Sequence, residues 1–310
     1  MFNMAYWIDC FALGMLANAG AVFYMANGWA FSGVLEFSFL IIAALANVVA
    51  TMHTMTCLIR RHVVCTPEVE LDPLAYMKMT HIAIQNYLAT VQYYLYMIDL
   101  DDVSAEATEN KLLFAAHFDR LRILHNEHLK QETEIVYSEF QNRFPGHGRK
   151  FLDDHQDDLL MLGDWANLTS ALIDDEVPID VKRDALESLI SELPPYFSHL
   201  IRHFTGEEEN VDPIGKKYIP IELKKQLTRR VWQLTPADKW EIIIPFVLAN
   251  LTRHEQRVQY LKSLFWSLPE RTQQIGAIVY RNVDAIMWEC LQADLREMIP
   301  RGLEGWRRYR

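Results

Sequence analysis

Two segments of this chain, His128-Leu129-Lys130-Gln131-Glu132 and His203-Phe204-Thr205-Gly206-Glu207, echo one another about 75 residues apart. Each pairs a histidine with a glutamate four positions later. In a helix that spacing sets an imidazole and a carboxylate on one face, one turn apart, so each segment offers two ligands from a single helix. His81 and His155 are separated by nearly the same interval, and the order His81, His128/Glu132, His155, His203/Glu207 reads as one half repeated. A period this long predicts two helical hairpins related by a pseudo-two-fold axis, which together make an antiparallel four-helix bundle in an all-α protein. Four imidazoles and two carboxylates suit a borderline transition metal, and carboxylates able to bridge point to two ions.

Breakers set the expected helix boundaries. Asp72-Pro73 opens a helix over about 73–98 that ends at Asp99-Leu100-Asp101-Asp102. The second covers about 110–142 and stops at Phe144-Pro145-Gly146-His147-Gly148; the third and fourth cover about 149–173 and 180–205. In an antiparallel pair, ligands share a level only if they lie equally far from the connecting turn. His81 and His128 lie about 17 and 18 residues from theirs, and His155 and His203 about 18 and 23. All four therefore fall near the end of the bundle that carries the Phe144–Gly148 loop.

Charge and hydropathy divide the chain further. With 310 residues, half of them hydrophobic, it is long enough for a sizeable core and more than one module. The net charge of −11 excludes a nucleic-acid partner, which needs a basic surface to neutralise phosphates. Residues 1–59 contain only Asp9 and Glu36 as charged side chains, and two apolar stretches, about 4–26 and 37–59, are each long enough to cross a bilayer. They read as two transmembrane helices in a hairpin, with Tyr6, Trp7, Tyr24 and Trp29 at interface depth. Arg60-Arg61-His62 follows the second stretch and the 27–36 connection has no Lys or Arg, so both termini and the bundle are expected in the cytoplasm, in contact with membrane lipid. Asn18, Asn47 and His53 keep a second reading open, a buried helical hairpin in a soluble protein. Cys10, Cys57, Cys65 and Cys290 form no close pair and read as reduced, incidental thiols.

The composition changes after Thr66-Pro67, which sets the expected domains at 1–66, 67–215 and 216–310. The last is a helical C-terminal extension. Thr235-Pro236-Ala237-Asp238 reads as a cap with an N1 proline, Pro245 as a kink, Pro269 as a further helix start, and residues 305–310 as a basic, aromatic tail. The sequence carries no H-E-x-x-H, no glycine-rich phosphate loop with a following Lys-Ser/Thr and no G-x-S-x-G. Paired acids such as Asp153-Asp154 read as helix-terminal charges.

The segment from about 72 to 215 resembles a hemerythrin-like, or HHE cation-binding, domain. The likeness is carried by His81-Ile82-Ala83-Ile84-Gln85, by the two H-x-x-x-E segments running on to Ser138 and to Pro213, and by His155-Gln156-Asp157-Asp158-Leu159-Leu160. It implies terminal imidazoles from His81, His128, His155 and His203, with Glu132 and Glu207 bridging two non-haem iron ions that share an oxo or hydroxo bridge. Two departures stand out. Ser138 replaces a usual proline, and Phe151 occupies the place, one turn before His155, where oxygen-carrying members have a further histidine. This moves the expectation toward divergent members that sense iron, oxygen or nitric oxide. His125 and His199, about one turn from His128 and His203, are placed to complete the ligand set or to orient a ligand, and Glu208, Tyr137 and Tyr196 to support one.

The expected function is a membrane-anchored di-iron protein that binds O2 or a related small ligand, or iron, for sensing or storage. A di-iron oxidase or a peroxide- or nitric-oxide-reducing enzyme would use the same residues. A structural alternative makes the bundle a docking subunit of a larger membrane complex, or a homo-oligomer, with Asn18 and Asn47 suited to helix–helix contact.

Overall fold

The chain divides between Glu70 and Leu71, and the computed structural model describes residues 72–296 and Met298. The expected hairpin at 4–26 and 37–59 and the basic tail at 305–310 lie outside the described residues. Among the described residues the regular structure is helical, with no strand, and no helix is long and apolar enough to cross a membrane.

The first long helices follow the expected order. Helix α1 spans Ala75–Tyr96, and α2 spans Ala105–Gln131. The chain then passes through a π-helical turn, Glu132–Val136, into the short α3, Tyr137–Arg143. Helices α4 and α5 span Arg149–Ile173 and Ile179–Asn210. Helix α2 begins earlier than the pattern suggested because Ser104 caps it, its side chain accepting the Ala107 N–H at 3.2 Å. Helix α5 continues through Pro194 and Pro195 and runs past 205, so that Glu207 stays helical.

Helix α1 packs on α2, α2 on α4, α4 on α5 and α5 on α1, which closes a ring around a shared interior. Leu121, Leu124, Leu129, Leu162, Leu200 and Phe204 are fully buried there, each worth about 1.5–3 kcal/mol of apolar burial.

The remaining described chain continues as α6 (Asp212–Tyr218), α7 (Ile221–Leu234), α8 (Ala237–Asn250) and α9 (His254–Ser267). It ends with α10 (Thr272–Asn282) and α11 (Ala285–Asp294). Helices α8 and α9 pack against α1, and α7 against the π turn. Asn86 Nδ2 donates to the Asn250 carbonyl at 2.8 Å, Thr228 Oγ1 to the Pro73 carbonyl at 2.9 Å and Gln131 Nε2 to Thr235 Oγ1 at 2.9 Å. Covered on both sides, α1 is apolar around most of its circumference. Thr235 does not cap α8 as its position suggested. Pro236 holds the cap position without a side-chain bond, and the Thr235 hydroxyl donates to the Val231 carbonyl instead.

Candidate metal centre

All six expected ligands meet in the interior. His81 comes from α1, His128 from α2 and Glu132 from the π turn; His155 comes from α4, and His203 and Glu207 from α5. Each is at most 4% exposed. His81 Nε2 lies 3.4 Å from Glu132 Oε1 and 3.4 Å from Glu207 Oε2. His155 Nε2 also faces both carboxylates, 3.4 Å from Glu132 Oε2 and 3.4 Å from Glu207 Oε1. His128 Nε2 is 3.4 Å from Glu132 Oε2, and His203 Nε2 is 3.3 Å from Glu207 Oε1. Both glutamates thus reach from one histidine pair to the other.

The donor atoms fall into two groups, His81/His128/Glu132 and His155/His203/Glu207, within each of which they lie less than 4.8 Å apart. Such buried groups could hold a metal ion. Both ring nitrogens of His81 and of His128, together with Glu132 Oε2 and Glu207 Oε2, have no hydrogen-bond partner among the protein's atoms. Burial without a partner costs roughly 1–3 kcal/mol for each such group, and a coordinated cation removes that cost. Nitrogen and carboxylate donors together suit a borderline divalent ion.

The π turn sets the geometry on α2 and α3. An α-helix that placed His128 and Glu132 inward would next turn Val136 inward. The wider turn at Glu132–Val136 delays the phase by one residue, and Tyr137 points at the centre instead. Tyr137 Oη donates to Glu207 Oε1 at 2.6 Å, and Thr133 Oγ1, inside the same turn, lies 2.9 Å from His155 Nδ1. Gly148 makes room for this tyrosine. Its φ of +81° starts α4, and a β-carbon there would sit 2.7 Å from the Tyr137 ring.

Further groups hold the imidazoles in place. Asp154 Oδ2 is 3.2 Å from His203 Nδ1, and Glu208 Oε1 is 3.5 Å from His81 Nδ1. The Phe204 ring stacks on His81 with centroids 4.2 Å apart. Phe151 stands edge-on to the His203 ring at 5.5 Å, so the position one turn before His155 contributes packing.

The electrostatics show a demand for positive charge. Burial pushes His81 down, but Glu132, Glu208 and Glu207 outweigh it and raise its pKa to about 10. His203 is opposed by burial in the same way and is raised to about 9, chiefly by Glu207. Burial and the Glu207 charge raise the Glu132 carboxyl. For Glu207 burial acts upward, yet His155 and His203 hold it well below the carboxylate range. Burial, with the neighbouring His81, drives His128 well below its ordinary value. Protons on His81 and His203 thus offset the buried carboxylates around them.

The further expected residues divide. Tyr137 contacts Glu207, and Glu208 contacts His81, as described. His125 and His199 each have a ring nitrogen 3.9 Å from Asp158, and His199 also borders the cluster, its donor atom lying within 4.8 Å of those of Asp154 and His203. Tyr196 Oη lies 3.1 Å from His125 Nδ1. Burial pushes Asp158 and Tyr196 up and His125 down to about 3.

Sequence reasoning missed Asp154, Thr133 and Asp158. Asp154, read as a helix-terminal charge, lies 3.2 Å from His203 of the next helix, and nothing in its local sequence signalled that partner. Thr133 carried no signal either, since only the π turn brings it round.

Fold and site together define a helical protein with a buried histidine–glutamate cluster able to hold a metal ion. The chain matches no family model, no curated protein and no solved structure.

Proposed function

We propose that this chain is a hemerythrin-like protein whose four long helices, α1, α2, α4 and α5, form an antiparallel bundle around two iron ions. The carrying observation is that Glu132 and Glu207 each face imidazoles of both histidine pairs at 3.3–3.4 Å. His81 and His128 would bind one ion, His155 and His203 the other, and the two carboxylates would span them. Bound there, the pair would supply a redox-active centre with an open position for O2 or a related small ligand. Tyr137 and Asp154 orient their partners through hydrogen bonds, while Phe151 and Phe204 exclude water. In this reading the protein senses or stores its ligand, or iron itself, and segments 4–26 and 37–59 anchor it to the membrane with the bundle in the cytoplasm.

The test is iron content per chain, with optical spectra recorded under nitrogen and then in air. About two irons per chain and a reversible near-ultraviolet and visible band are expected. A single zinc without spectral response would leave a structural or docking module. Turnover with a reductant, in place of stoichiometric binding, would make the same residues those of an oxidase or of a peroxide- or nitric-oxide-reducing enzyme.

A further inference from the structure

The buried face of α4 continues past the cluster. His155, Asp158, Leu162 and Trp165 follow one another at helical spacing and are all buried. On α5, Tyr196, His199 and His203 lie along one face in the same way. The helix rises about 15 Å from His155 to Trp165, so these side chains make a line from the six-residue cluster toward the turn between α4 and α5.

The line consists of neighbouring rings. Trp165 and Tyr196 have centroids 4.6 Å apart and are 2% and 5% exposed. The Tyr196 ring stacks on His199 at 6.3 Å, and His199 lies 6.2 Å from the cluster's His203. Tryptophan and tyrosine are the aromatic side chains that give up one electron most readily, provided that the proton each then sheds has an acceptor. Both have one here. Tyr196 Oη is 3.1 Å from His125 Nδ1, and the Trp165 indole N–H donates to Glu192 Oε2 at 2.8 Å. Burial keeps His125 neutral, and its other ring nitrogen lies 3.9 Å from Asp158, so a proton accepted at Nδ1 makes an imidazolium beside a carboxylate. Glu192 is exposed, and the line ends at solvent.

Two other aromatic groups lack this combination. Tyr137 is bonded to Glu207, but the rings beside it are those of Phe140, Phe151 and His155, none of them readily oxidised. Tyr76, Trp232 and Trp240 form a run at 6.1 and 5.3 Å, yet the Tyr76 hydroxyl and the Trp232 N–H have no hydrogen-bond partner, and a proton lost there would be stranded.

We propose that Trp165 and Tyr196 relay single electrons between the surface at Glu192 and the buried centre. The inference rests on the redox-active reading of that centre given above. Tyr196 gives one electron to the oxidised centre and its phenolic proton to His125 Nδ1, which leaves a neutral tyrosyl radical. Trp165 then gives one electron to that radical, His125 returns the proton to Tyr196 Oη, and the indole proton moves to Glu192. A one-electron donor in solution, ferrocyanide in the test below, reduces the indolyl radical, which regains its proton from Glu192. The net change is one electron carried inward with no proton displaced, and added peroxide is the oxidant.

The experiment mixes the full-length, iron-loaded protein, its iron content measured, with hydrogen peroxide and freezes it at set times for electron paramagnetic resonance. Wild type should show a transient tyrosyl signal that ferrocyanide removes. Tyr196→Phe, which takes away one hydroxyl, should abolish the signal at unchanged iron content. Trp165→Phe should lengthen the signal's lifetime against ferrocyanide by roughly tenfold or more. Glu192→Gln, a surface change that leaves the core intact, should lengthen it too, because an amide cannot take the indole proton. With iron bound, the relay is overturned by the absence of any radical, or by a wild-type lifetime in both Trp165→Phe and Glu192→Gln. A signal that survives Tyr196→Phe and is lost in Tyr137→Phe overturns it as well. Each of these results leaves the metal centre standing, whereas failure of the protein to bind iron would sink both readings together.

Discussion

Tyr137 and Glu207, from elements 70 residues apart, are joined by a 2.6 Å hydrogen bond from the phenol to Oε1. Glu207 is the carboxylate that also meets His81, His155 and His203. A buried bond to a charged acceptor contributes roughly 1.5–3 kcal/mol. Tyr137→Phe should keep the fold and weaken metal binding about 10- to 100-fold, measured by competition with a chelator of known affinity. Unchanged affinity would show that the phenol does not steady this ligand.

The two loop glycines make a controlled pair. Gly146 (φ +87°) and Gly148 (φ +81°) both occupy the left-handed region, but a β-carbon at Gly146 meets nothing within 4 Å while one at Gly148 runs into the Tyr137 ring. Gly146→Ala should cost about 1 kcal/mol from backbone conformation alone. Gly148→Ala should cost about 2–3 kcal/mol by denaturant unfolding and also lower metal affinity, since Tyr137 must move. Equal effects of the two substitutions on affinity would argue against this coupling.

Metal uptake should release protons. His81 and His203, with pKa values raised to about 10 and about 9, are protonated at neutral pH in the metal-free protein. Their raised values stabilise the metal-free fold fully below the ordinary histidine pKa of 6.5, and this contribution is lost as pH rises through about 9 and then 10. Because a protonated imidazole cannot ligate, affinity should climb with pH across that same window, with release of up to about two protons at pH 7. Calorimetry in buffers of different ionisation enthalpy counts them, and release of none would contradict the assignment.

Removing metal should loosen the interior. The buried nitrogens and oxygens at the six-residue cluster that have no hydrogen-bond partner are left unsatisfied without an ion. At a hundredfold excess over the dissociation constant, ligand linkage adds about 2.7 kcal/mol. Thermal unfolding before and after chelation should therefore differ by roughly 5–10 °C, and coincident transitions would indicate that the cluster is no metal site.

The six cluster residues were legible because an i,i+4 histidine–glutamate pair needs only the helical period to share a face, and matched distances from the turns place the pairs at one level. Asp154 and Asp158 were not legible, since an acid on a helix looks the same in sequence whether it meets solvent or an imidazole of a neighbouring helix. His125 and His199 were recognised as histidines one turn from cluster residues, yet nothing local distinguishes a further member of the cluster from a residue that meets a different carboxylate.

The local period, the breakers and the repeat in the sequence determine the helical elements, their approximate ends and the faces that carry the histidine–glutamate cluster. Tertiary structure alone decided the rest. The π turn that swings Tyr137 and Thr133 inward, the Gly148 approach that seats the phenol, the cover of α8 and α9 on α1 and the gathering of His125 and His199 about Asp158 all depend on contacts between helices far apart in sequence. Helical periodicity acts over a few residues, whereas these side chains take their positions from packing that exists only once the helices have met.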